Sequence, residues 1–511
     1  MATKITSLKC NKFGGIRRIN AVFSDEIITA SDIQNVELFN TGINSGVGIR
    51  TSKGHTSTCN TIPNDERIVN IFESVQKGVT YCFVHTENNN FGRFYLYDFI
   101  TQTVTLKKDN LELSGKSCGL DFAQGWNDLF VFSTGKEMFS IQIGAEIEVI
   151  DMNGLVDMEG RNIKGLGLIN YDNRLWVFNG NILWFSVQEN IYDFSTSDSD
   201  ISTSSGFIEY IKNITAITPY LGSLAIFFKD SSILLSGEYP YTQTDESPGG
   251  CASYNSLVFH GTELYFYDDT KKGVFSFNQV VNGDKTLGDN IALDIQQELC
   301  GIDSDNLDKI RCLSIVLSDR NEIWFLIPTR EPDITTIMIF DYIHKEWIKR
   351  KCPNVTCFKI VSNILYSGGD TGKIYEEYKS DSFDGTYIHS FYKCTPINLG
   401  VDNTLKILYF PPRVTVDMTY SGSFWVRYIK NYDMFKAPKV KKIQIKPMKD
   451  ALYYDIGKWD ETYFPLKELN SIYKLPSATF KTLEIQLYCY SADEGFSIKN
   501  IEFSKIKVKQ I

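Results

Sequence analysis

The sequence predicts an all-β protein: a β-propeller of six or seven blades over residues 61–395, with a C-terminal β-sandwich-like domain over residues 396–511. Three observations predict it. Pairs of short apolar runs joined by turn residues recur along the chain. Several of these runs are apolar at consecutive positions, as expected of strands covered on both faces. Aromatic residues make up 14% of the chain, with 34 Phe and 28 Tyr, and flat side chains favour a pleated surface.

The chain opens with residues 1–60, rich in glycine turns (Gly14-Gly15, Gly42, Gly46, Gly48, Gly54), which read as an N-terminal arm. From about residue 65 a strand–turn–strand unit repeats. Its instances are 80–84 with 93–97, 128–132 with 138–141, 174–178 with 182–186, 223–228 with 232–236, 263–267 with 273–277, 322–327 with 336–340, and 364–366 with 373–375. The densest stretch runs from Gly165 to Gly237 and holds two of these hairpins. Asn179-Gly180 between apolar runs signals a type I′ turn, which needs positive φ at both central residues. The leading strands recur at roughly 40 to 60 residues, a period suited to blades of about four strands. On this reading Trp176, Phe178, Leu224, Ile226 and Phe228 are buried between blades.

Residues 291–310 break the pattern. Leu293, Ile295, Leu299 and Ile302 recur at mixed spacings of three and four, predicting a short helix inserted between blades. Pro411-Pro412 marks a boundary, after which apolar and polar residues alternate. Residues 423–428 (SFWVRY) and 482–488 (TLEIQLY) are the clearest cases and predict a half-exposed antiparallel sheet. Lys436, Lys439, Lys441, Lys442 and Lys446, with Lys505, Lys507 and Lys509, read as a solvated edge guarded by lysines, a DNA-facing strip being the sharper alternative.

Composition narrows the function. The formal net charge of −10 argues against a surface that clamps nucleic acid throughout, because phosphate binding needs clustered cations. The first twenty residues lack the apolar stretch of a signal peptide, and no run approaches the roughly 20 apolar residues of a membrane helix, so no membrane partner is expected. Eleven cysteines without a CxxC pair read as reduced, buried thiols. The five histidines form no metal-ligand motif, and GxSxG and phosphate-loop patterns are absent. Asp303, Asp305 and Asp308 lack the glycine and distal glutamate of a calcium loop. No catalytic residue, cofactor or metal is therefore expected. Gly368-Gly-Asp370-Thr-Gly372 comes closest to the repeated aspartate turn of sialidase propellers, but it occurs once and without the serine, and hairpin chemistry explains it.

The order of these pieces resembles a known family. Residues 173–178 (NRLWVF), 184–186 (WFS) and 190–194 (NIYDF) are followed by 214–217 (ITAI), 221–224 (LGSL), 233–237 (ILLSG) and 249–252 (GGCA). Phe340-Asp-Tyr342 with Trp347, residues 368–375 (GGDTGKIY) and 384–388 (DGTYI) continue the order, and Trp459 and residues 498–503 fit more loosely. The set resembles the tail-nozzle (tail tubular protein B) and packed-DNA-stabilisation proteins of short-tailed bacteriophages, over roughly residues 160–510. That resemblance implies a structural virion protein without enzymatic activity. Its subunits would form a ring, usually a hexamer, in the portal–tail complex, coaxial with the portal and lining or closing the DNA exit channel. Its partners would be further copies of itself, the portal or adaptor ring, other tail proteins, and genomic DNA passing without sequence-specific contact. A carbohydrate-binding or glycoside-cleaving propeller at a tail tip is the alternative.

Overall fold

The computed structural model describes residues 4–10, 12–17, 27–41, 46–58, 62–63, 66–99, 101–124, 127–143, 147–197, 204–237, 239–277, 288–329, 331, 333–397, 405–408, 410–417, 422–431, 438–445, 470–492 and 494–509. Trp459, Lys436 and Lys446, singled out above, lie outside them, as do the side chains of Lys505 and Lys509. Two compact units divide the chain: Thr56–Ile337 with Pro353–Glu377, and Met1–His55 with Met338–Cys352 and Tyr378–Ile511.

The first unit is a β-propeller. Seven small sheets follow one another along the sequence, and each of the seven hairpins read from the sequence supplies the second and third strands of one sheet. The sixth blade opens with Arg311–Leu317 and Arg320–Ile327, and its third strand, Ile334–Asp341, carries the chain into the other unit. First strands of successive blades lie side by side. Arg67–Gln76 neighbours Cys118–Gln124, which neighbours Leu166–Tyr171, which neighbours Ile214–Tyr220. A turn at Tyr254–Ser256 links the fourth blade to the sixth, and Val355–Val361 returns to Arg67–Gln76, so the circle closes. Residues preceding the first blade help to close it: the Thr58 amide donates to the Ile374 carbonyl (2.9 Å) and the Ile62 amide to the Gly372 carbonyl (2.8 Å).

Every blade in this unit buries residues on both faces, which is why its strands read as unbroken apolar runs. Trp176, Phe178, Leu224, Ile226 and Phe228 form one core between the third and fourth blades. Val177 and Leu175, on the opposite face of the same strand, join Val131 and Phe122 of the second blade. Ala225 and Phe227 join Leu264 and Phe266 of the fifth. Phe72, Phe83 and Phe94 pack against Phe130 and Phe132 between the first and second blades, with Phe83 stacked on Phe130. Each such side chain contributes about 1.5–3 kcal/mol on leaving water. The ring is thus held by a series of separate inter-blade cores.

Turn chemistry differs from the expectation at one point. The hairpin at Asn179 pairs Asn179 with Ile182, so its two central residues are Gly180 and Asn181, and of these only Gly180 has positive φ (58°). That is the backbone of a type II′ turn, not type I′. Positive φ at two consecutive residues occurs instead between first and second strands, at Lys77-Gly78, Asp172-Asn173, Leu221-Gly222 and Ser362-Asn363. The insertion at residues 291–310 contains a five-residue helix, Gln296–Cys300, flanked by 3-10 turns, with Ile295, Leu299 and Ile302 buried and Leu293 half exposed.

The second unit corrects the reading of the termini. Residues 1–60 are no free-standing arm. Their described strands between Lys4 and Thr51 belong to one sheet of fourteen strands with the C-terminal segments. Lys4–Cys10 pairs antiparallel with Ser497–Lys509, and Ile27–Gln34 with Ser390–Cys394. Residues 338–352 and 378–395, assigned to the propeller by sequence, also fall in this unit. Glu346 accepts from the Gly15 amide and pairs with Arg17 at 2.6 Å, while Asn35 is bonded to the backbone of Lys349 and Lys351. The expected alternation holds in Gly422–Lys430, where Phe424, Val426 and Tyr428 are buried and Trp425 and Arg427 on the other face are partly exposed, but not in Leu483–Cys489, whose residues from Ile485 to Cys489 are all buried.

Candidate functional site

The turns between second and third strands, and the segments leading into each first strand, share one face of the propeller. Two cavities open there. The larger, about 370 Å³, is lined by Lys116, Lys136, Phe178, Ser253, Tyr254 and Asp308 among others. Its charges are already matched: Lys116 pairs with Asp308 at 2.5 Å, and Lys136 with Glu112 at 2.7 Å. Tyr254, at the start of the fifth blade, donates its hydroxyl to the carbonyl of Ser117 at the start of the second. Those blades lie on opposite sides of the ring, so this side chain reaches across the axis. Asn70 bonds the same carbonyl at 3.1 Å, and His85 meets the Ser117 hydroxyl at 3.0 Å. The propeller's own axis is therefore blocked at this level.

The smaller cavity, about 210 Å³, holds Asp370, the residue with the best claim to glycosidase chemistry. Arg67 pairs with it at 3.4 Å. Burial raises the Asp370 carboxyl, Arg67 opposes the rise, and Asp333 adds to it. A sialidase-like step needs a tyrosine nucleophile beside the carboxylate. Among the described residues no tyrosine lines this cavity, and Tyr375, the aromatic of the same motif, is buried.

His344 bonds Asp341 through Nδ1 (2.6 Å) and Asn40 through Nε2 (3.2 Å). His85 is fully buried, and burial pushes its imidazole down to about 3, so it stays neutral. Among the described residues no group of three or more His, Cys, Asp or Glu side chains is placed to hold a metal ion, and no helix is long and apolar enough to cross a membrane. Eight of the ten described cysteines are buried, Cys300 is exposed and Cys312 intermediate.

The lysine strip falls where an edge would put it. Lys439–Ile445 is a terminal strand of the large sheet, with Lys439, Val440, Lys441 and Lys442 all exposed. Lys507 differs, since its strand is paired on both sides, with Ile5 and with Ile407.

No protein-family model and no curated protein matches the chain in sequence. Among solved structures, a catalytically inactive virginiamycin B lyase from Staphylococcus aureus, with quinupristin, is similar over 63% of this chain and 97% of its own, at 12% identity and a TM-score of 0.40. The computationally designed protein Ika8 matches over 64% and 99%, at 11% identity and a TM-score of 0.38. Kluyveromyces lactis Hsv2 matches over 63% and 97%, at 13% identity and a TM-score of 0.32. At this level of likeness no activity passes from them to this chain.

Proposed function

We propose that this chain is a structural subunit of a bacteriophage portal–tail complex, one of about six copies in a ring that lines or closes the DNA exit channel, and that it carries no catalysis. The observation that carries the reading is the ordered set of motifs along residues 160–510, which resembles the tail-nozzle and packed-DNA-stabilisation family. The side chains agree with a packing role. Charged groups at each cavity pair with one another, Lys116 with Asp308 at the larger and Arg67 with Asp370 at the smaller. With Tyr254 across the propeller axis, a DNA path would run between subunits and not through each propeller. Head-to-tail contacts between identical subunits close a ring when the rotation per subunit permits. The net charge of −10 would keep a duplex from being trapped on such a ring.

The test is a virus lacking this protein. Particles that fail to retain packed DNA or to complete their tails support the proposal. Particles with stable genomes, full tails and normal ejection overturn it. Sustained cleavage of a polysaccharide by purified protein, abolished by Asp370→Ala, would replace it with the glycosidase reading.

A further inference from the structure

One face of the large sheet of the second unit sets an aromatic row beside a polar row. Lys439–Ile445, Gly422–Lys430, Leu483–Cys489, Ser390–Cys394 and Ile27–Gln34 are successive strands. Directly opposed residues share a face. Val426, Leu487 and Tyr392 form a buried row. One residue along, on the other face, Trp425, Tyr488 and Phe391 form an aromatic row, and next to it stand Arg427, Gln486, Lys393 and Asp32.

The aromatic row continues outward. Tyr490 lies nearly parallel to Tyr488 (5.6 Å, 6°), and His389 stacks on Tyr490 (5.8 Å, 22°). Tyr488 and Phe391 are each 8% exposed, but Tyr490 is 51% exposed, which makes it the accessible ring of the group. Burial and the nearby Lys393 both hold the His389 imidazole below its ordinary range, so it stacks as a neutral ring.

The polar row is matched except at one place. Lys393 bonds Asp32 at 3.1 Å and lies over the Phe391 ring. Gln486 accepts from the Tyr488 hydroxyl (2.7 Å) and donates to Glu484. Lys442, over the Trp425 ring, pairs with Glu494 at 2.9 Å. Arg427 is different. Its Nε is buried without a hydrogen-bond partner, and so is Nε2 of His389. Arg427 nevertheless lies close enough to draw both tyrosine hydroxyls downward against the effect of burial.

An exposed tyrosine ring at the end of a stacked aromatic group, beside a guanidinium whose Nε has no partner, suits a flat π ring that carries an oxyanion. The ring would extend the His389–Tyr490–Tyr488 group, since aromatic faces stack on bases of any identity. The oxyanion would take the fork of Arg427, whose geometry favours phosphate over a point charge. We propose that this face binds one nucleotide, its base on Tyr490 and its phosphate on Arg427. The same chemistry is offered by a free nucleoside monophosphate and by an unpaired nucleotide of a DNA strand. The inference is independent of the portal reading and can fail or hold without it.

Full-length protein, titrated with adenosine 5′-monophosphate and followed by calorimetry, is expected to bind saturably. Adenosine alone and inorganic phosphate alone should each bind at least about tenfold more weakly, because each keeps only one of two contacts. Tyr490→Leu and Arg427→Gln should each cost about tenfold, whereas Tyr490→Phe retains binding. A short single-stranded oligodeoxyadenylate that binds more tightly than the monophosphate identifies the strand as the source, and the reverse order identifies the free nucleotide. Absence of saturable binding to both probes overturns the proposal. So does binding that both folded variants, with circular dichroism unchanged, leave intact. Should Arg427→Gln not fold, the contrast between Tyr490→Leu and Tyr490→Phe decides.

Discussion

The two units of this chain solve the same problem, pairing every strand, over very different sequence distances. In the propeller, partners are near neighbours: Trp176 faces Phe185 and Ile226 faces Ile233. In the large sheet, Lys4 faces Val508 and Ile33 faces Tyr392. Loop-closure entropy rises only slowly with loop length, so distant pairing is thermodynamically acceptable. It is slow to form and invisible to local pattern. The contrast teaches that a blade is a nearly self-contained unit, whereas the sheet depends on both ends of the chain being present.

The harshest test removes residues 1–55. Ser390–Cys394 and Ser497–Lys509 would then lose their partners Ile27–Gln34 and Lys4–Cys10. Amide exchange should become fast in those C-terminal strands and stay slow in Arg174–Asn179 and Ser223–Phe228. Equal loss of protection in the blades would erase the distinction between the units.

Within the propeller, Phe228→Ala opens a hole in the core shared by the third and fourth blades, where Phe228 is 2% exposed. It should destabilise by about 3–5 kcal/mol in denaturant unfolding. A cost near zero would mean the inter-blade cores do not hold the ring.

Acid should separate the units by pH window. The unfolded His85 ring takes a proton below its ordinary value of 6.5, while the folded ring, held down by burial, does so only near 3. The unfolded state therefore binds more protons in that interval, and stability falls as pH falls, by up to about 1.4 kcal/mol per unit. His85→Gln should flatten that slope. Asp32 acts lower. Burial raises its carboxyl, but Lys349 and Lys393 together hold it below the ordinary 3.8, so its contribution is present above that value and lost beneath it. Unfolding curves from pH 7 to 3 that do not change between wild type and His85→Gln would contradict the burial of that ring.

The mildest change is Glu346→Gln, which weakens the bonds to Arg17 and the Gly15 amide that join residues 338–352 to the N-terminal strands. A loss of about 1–3 kcal/mol is expected, larger than for a surface pair because Glu346 is buried. The change should appear in the large sheet by amide exchange and leave the blades unaltered.

Sequence by itself determined the propeller hairpins, because each is written in adjacent residues: an apolar run, a turn, and a second run buried on both faces. It also determined that residues 423–428 would cover a core with one face, since alternation depends on the pleat and not on the partner, but not that Ile485 to Cys489 would be buried on both. The candidate groups were partly legible in the same way. Asp370 and the exposed lysines at 439, 441 and 442 stood out by residue type and spacing. Tertiary structure alone decided that Tyr254 crosses to Ser117 and that Tyr490 and His389, about a hundred residues apart in the chain, stack beside Arg427. It alone decided that the first strands join the last. The physical reason is common to all three. Periodicity states which face of a strand meets the core, but backbone hydrogen bonds are the same for every residue, so the choice of a distant partner is made only when the whole chain packs.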